Sequence, residues 1–157
     1  MRAVLDTNVI ISALLFRGET ARLHLLWKKR AFVPVASKEV VEEYLRVLAY
    51  PKFKLTEREI KDIIRTELLP YIEPVPVTGE PDVVCEDLDD LKFLACTEAA
   101  KADCIVSGDE HLLSLKKYKG CLSSITKCNT WESKRGILSV YAKKIYSSKS
   151  IRTRHYH

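Results

Sequence analysis

Asp6 stands between Ala3-Val4-Leu5 and Val9-Ile10-Ile11, a carboxylate set into an apolar run. Far along the chain, Cys104-Ile105-Val106-Ser107-Gly108 delivers a second, Asp109. Between them, Glu43 falls on the flank of a helical face made by Val40, Tyr44, Val47 and Leu48, while Glu42 points further into solvent. A third acidic group, Glu86, Asp87, Asp89 and Asp90, crowds the start of another helical stretch. Carboxylates gathered in one cleft repel each other and raise each other's pKa unless a cation is present. Oxygen-only donors suit Mg²⁺ or Mn²⁺ far better than zinc. Such a cluster matches metal-assisted phosphodiester hydrolysis, in which the ion activates water and steadies the leaving oxygen. A plainer account makes the same acids helix caps and solvated faces, worth about 0.3–1 kcal/mol each at a helix start. One cap needs one acid, however, and the third group exceeds that need.

The elements that must position these groups alternate. Residues 2–6 read as a short buried strand and Asn8–Leu15 as the helix after it, and Phe32–Ala36 as a second strand containing Pro34. Thr20 is a plausible cap for the helix that ends in Lys28, Lys29 and Arg30, where the dipole favours cations. Ser37 caps a helix that stops before Pro51, and Thr56 caps one that ends at Pro70. Residues 73–84 are proline-rich and read as an extended connection. A helix over 89–102, a buried strand at 103–107 and a short helix over 109–117 follow. Strands alternating with helices give an α/β fold with a mainly parallel sheet. In such a sheet ligands bind outside the carboxyl ends of the strands, which makes Asp6 and Asp109 candidates for one pocket.

Whole-chain numbers set limits. With 157 residues, 46% hydrophobic and 30% charged, the chain is one ordinary globular domain. No apolar run approaches the roughly 18 residues of a membrane span, and no signal core opens the chain, so a cytoplasmic protein without a membrane partner is expected. Five cysteines without a C-x-x-C pair argue against a disulfide framework and a zinc site. Cys96 and Cys104 read as small core residues. His24 and His111 read as ordinary helix and surface histidines, and Trp27 and Trp131 as packing residues. The net charge of +5 hides an asymmetry: residues 111–157 hold 11 Lys/Arg and the single acid Glu132. A basic end of this kind suits a polyanionic partner, and equally suits a merely solvated tail.

Taken in order, "VLDTNVIISALL", "SKEVVEEYLRVL" and "DLDDLKFLACTEAAKADCIVSGDEHLL" resemble the PIN-domain family, most closely its small stand-alone prokaryotic members of the toxin-component type. The resemblance spans residues 2 to about 126 and rests on L-D-T-N-V, S-x-x-x-x-x-E-Y, D-D-x-x-F-L and S-G-D-x-x-L-L together. It implies a three-layer fold with a central, mainly parallel five-stranded sheet flanked by helices. It also implies Mg²⁺- or Mn²⁺-dependent ribonuclease activity through catalytic acids at Asp6, Glu43, Asp90 and Asp109. Asp6, Asp90 and Asp109 would be the metal ligands. Asn8 should fasten the D-T-N loop through its side chain, and Ser107 should orient an acid or a metal-bound water. Leu91 stands where relatives often carry a further acid or Asn, so Asp89 and Asp90 compete for the third position.

The resemblance divides the chain into a nuclease domain over 1–130 and a basic extension over 131–157. RNA is the expected substrate, with an antitoxin protein and a homodimer as expected partners. The strongest rival is a PIN fold that binds RNA or protein without cutting, which has no reason to keep all four acids. A HAD-type phosphatase needs a second Asp at position 8, where Asn8 cannot serve as an acid or base near neutral pH. A receiver domain needs an acidic pair at the end of the first strand, where Asp6 is single.

Overall fold

The computed structural model describes residues 1–17, 21–79 and 88–107. Within them β1 (Arg2–Leu5) leads to α1 (Thr7–Leu15) and α2 (Ala21–Lys28), then β2 (Val33–Ala36) to α3 (Lys38–Leu48). A 3-10 turn at Pro51–Phe53 precedes α4 (Glu57–Ile63), whose last turns widen into a π-helical segment over Ile64–Leu68. The chain closes with β3 (Glu73–Pro74), α5 (Leu88–Ala100) and β4 (Cys104–Val106).

All the strands run parallel in the order β3-β2-β1-β4. The expected α/β architecture therefore holds, with four strands among the described residues where five were expected. The expectation for 73–84 as a plain connection needs correction, because Glu73 and Pro74 pair with Val35 and Ala36 to form the edge strand β3. The expected short helix over 109–117, the Thr20 cap and the extension over 131–157 lie outside the described residues.

β1 is central and its Ala3, Val4 and Leu5 are buried, as a parallel strand covered on both faces must be. Pro34 sits inside the sheet at little cost. The Val33 N–H is spent on Met1 O at 2.8 Å, so position 34 faces the other side, where β3 begins only opposite Val35. Ser37 Oγ accepts from Val40 N at 3.3 Å and starts α3, and Thr56 with Glu59 forms a complete capping box on α4. α1 is apolar on nearly every side and is buried accordingly, packed against α2 and α3. Cys96 and Cys104 are buried free thiols, and burial pushes the Cys96 thiol up to about 11, which leaves it inert at neutral pH. Trp27 is fully buried and donates from Nε1 to Glu67 O, so it packs. His24 lies 2.7 Å from the Glu67 carboxylate and is more enclosed than a surface histidine.

The chain path carries one consequence for function. From β1 it moves through β2 to β3 on one side, and β4 then returns to the opposite edge of β1. The strand order thus reverses between β1 and β4, and a crevice at such a switch point is where parallel sheets take their ligands. Among the described residues no helix is long and apolar enough to cross a membrane.

Candidate active site

Asp6 lies at the carboxyl end of β1, at the switch point. Its backbone N–H is held by Val106 O on β4 at 2.9 Å, and the Ser107 hydroxyl donates to its Oδ2 at 2.7 Å. Both side chains are buried, Asp6 to 6% exposure. Asp6 also occupies the N-cap position of α1, where an aspartate normally receives an amide hydrogen bond worth about 1 kcal/mol. It makes no such bond. Capping therefore does not explain Asp6, whose carboxylate is instead held from the end of β4 by Ser107.

Tyr44 fixes the strand end from above. Its phenol donates to Leu5 O at 2.5 Å, so α3 is fastened to the residue just before Asp6. Burial, helped by the nearby Asp6 charge, pushes the Tyr44 phenol well above its ordinary range and keeps it a donor. The sequence shows Tyr44 only as part of an apolar face. Its adjacency to Glu43 is the one local signal that it belongs to this end of the sheet.

Glu42 and Glu43 separate as the helical wheel implies. The Glu42 side chain is 60% exposed and Glu43 only 14%. Glu43 Oε2 takes Arg46 Nη2 at 2.5 Å and Lys92 Nζ at 3.2 Å, so α3 is tied to α5 through this carboxylate. Lys92 is the other residue that sequence reasoning passed over, although its position three residues after Asp89 places both on one helical face. The pair stands at 3.6 Å.

Asp89 and Asp90 open α5. Asp89 is exposed to 81% while Asp90 is half-buried. Asn8 lies in the first turn of α1. The helix begins at Thr7, one residue after the strand, which leaves Asn8 exposed in the first turn. Its side chain makes no hydrogen bond among the described residues, and the fastening of this segment falls to Ser107 and Tyr44. Asp109, Glu86 and Asp87 lie outside the described residues.

Among the described residues no three carboxylate, histidine or cysteine groups come together as a metal-holding set. The donor chemistry nevertheless fits a hard divalent ion: carboxylate oxygens at Asp6 and Asp90, with the Ser107 hydroxyl orienting the first. Thr7 adds a related observation. Its Oγ1 is buried beside Asp6 in the chain and has no hydrogen-bond partner among the described residues, a state that costs about 1–3 kcal/mol unless something else meets it. An apolar groove lined by Val41, Leu69, Ile72 and Val75 opens beside β3, but includes none of Asp6, Glu43, Asp90 or Ser107.

A family model for the PIN domain matches residues 2–111. No curated protein and no solved structure matches the chain.

Proposed function

The chain belongs to the PIN-domain family, whose members are generally metal-dependent nucleases, and on that premise we propose that it is an Mg²⁺- or Mn²⁺-dependent ribonuclease. The observation that carries this reading is Asp6: a buried carboxylate at the switch point of the sheet, excused from capping its helix and held by a hydroxyl from the neighbouring strand.

In this reading Asp6, Asp90 and Asp109 hold the divalent ion. When bound, the ion supplies a Lewis acid and lowers the pKa of attacking water. Ser107 fixes the orientation of the Asp6 carboxylate through its hydrogen bond. Tyr44 holds the Leu5 carbonyl, so the end of β1 cannot swing away from α3. Glu43, kept in place by Lys92 and Arg46, presents the fourth carboxylate. Asp89, exposed and turned to Lys92, supports that arrangement. The basic residues after 110 supply a counterion-releasing surface for the RNA backbone. The reading places the protein in the cytoplasm as a toxin component, whose antitoxin partner would be found in the adjoining reading frame, and admits a homodimer.

Incubation with mixed RNA in Mn²⁺ and in EDTA tests the proposal. Fragments should form only with Mn²⁺. Retention of intact RNA in both would favour the alternative, a PIN fold that binds RNA or protein without cutting.

A further inference from the structure

We propose that Lys92 is a positioning residue that holds Glu43, and that its positive charge weakens the affinity of the proposed site for a divalent ion. The inference rests on the metal-dependent reading above and adds to it a residue that tunes occupancy.

Geometry singles out Lys92. Its ammonium lies between Glu43 on α3 and Asp89 on α5, at 3.2 Å and 3.6 Å. The two cations on Glu43 differ in setting. Arg46 is 58% exposed, and a pair of that kind is screened by water and salt. Lys92 is 19% exposed against Glu43 at 14%, so its charge is felt more strongly. The stem of Lys92 reaches from α5 to α3, which places its positive charge beside Glu43.

The choice of lysine matters. A guanidinium would grip Glu43 through two parallel hydrogen bonds, whereas an ammonium is a compact charge on a flexible stem that can be exchanged for another cation. In the absence of an ion, Lys92 offsets part of the repulsion among the carboxylates. An ion arriving at the aspartates would meet a like charge. Two consequences oppose each other in sign. Neutralising Lys92 should lower the melting temperature in EDTA, yet it should tighten ion binding. A lysine with a purely structural role would give the first effect without the second.

Calorimetric titration of the intact chain with MnCl₂ separates these outcomes. Lys92→Met and Lys92→Gln should each bind Mn²⁺ about threefold to tenfold more tightly than the wild type, the scale set by one like charge a few ångströms away in a partly solvated site. Lys92→Arg, which keeps the charge, should bind no more tightly than the wild type. Equal or weaker binding by both neutral variants overturns the role given to Lys92 while leaving the metal site standing. A wild-type chain that takes up no Mn²⁺ overturns the metal reading and this inference together.

Discussion

The two ends of the central strand handle charge in opposite ways. At the start of β1, Arg2 reaches both Glu73 carboxylate oxygens, at 2.5 Å and 3.3 Å, and also the Ala100 carbonyl at the end of α5. Its backbone N–H meets the Asp103 carboxylate at 2.8 Å. The guanidinium there joins β1, β3 and α5, the backbone N–H ties in the approach to β4, and the charge of Arg2 is matched by Glu73. At the far end, Asp6 after β1 is held by the Ser107 hydroxyl, and Glu43 on α3 by Lys92 of α5 and by Arg46. The first end spends charge on holding the sheet together. The second spends its polar contacts on orienting acids, which the proposed function gives to a divalent ion.

Substitutions on the two ends should therefore fail differently, and the largest effect belongs to the carboxyl end. Asp6→Asn should reduce Mn²⁺-dependent RNA cleavage by more than about a hundredfold, beyond what losing an orienting neighbour costs, with the fold intact by circular dichroism. Next comes Arg2→Met, which leaves Glu73 and the Ala100 carbonyl without that partner. Urea unfolding should show a loss of about 1–2 kcal/mol, limited by the partial exposure of the pair, and cleavage per folded molecule should stay at the wild-type level. A catalytic defect in Arg2→Met that outlasts correction for folding would erase the distinction between the ends.

Smaller effects sharpen the contrast. Asp90→Asn removes one repelling charge, so in EDTA it should melt higher by a few degrees, about 1 kcal/mol, and should respond less to added Mn²⁺. Asp89→Asn should do neither, because Asp89 is 81% exposed and its pair with Lys92 is screened by water. If the two exchange behaviours, Asp89 is the ligand. The smallest effect lies at the structural end. Lys101 ends α5 in the left-handed region at φ 48°, with Ala102 N–H on Thr97 O and its own N–H on Glu98 O, a closure that usually carries glycine. Lys101→Gly should stabilise the protein by about 0.5–1 kcal/mol in thermal unfolding, without altering cleavage.

What could be read from the sequence followed from how local its cause is. Ser37 and Thr56 announce their helices because a cap acts within three residues. Asp6 stands out because it interrupts an apolar run, and the placing of Glu43 inside and Glu42 outside follows from helical geometry. The first helix was legible to within a residue, since α1 begins at Thr7 where the apolar run pointed to Asn8. β3 was hidden because two residues containing a proline carry no strand pattern; it exists through the free edge of β2 and the grip of Arg2 on Glu73. Tyr44 and Lys92 took their roles from partners 39 and 49 positions away, which no local pattern records.

The central claim is that Asp6 holds a divalent ion at the switch point between β1 and β4. Calorimetric titration of the wild type and Asp6→Asn with MnCl₂ tests it most directly. The wild type should show saturable uptake, and Asp6→Asn should lose it or bind at least about tenfold more weakly, as expected when a ligand is removed and not merely reoriented. Equal Mn²⁺ binding by the two proteins would contradict the account.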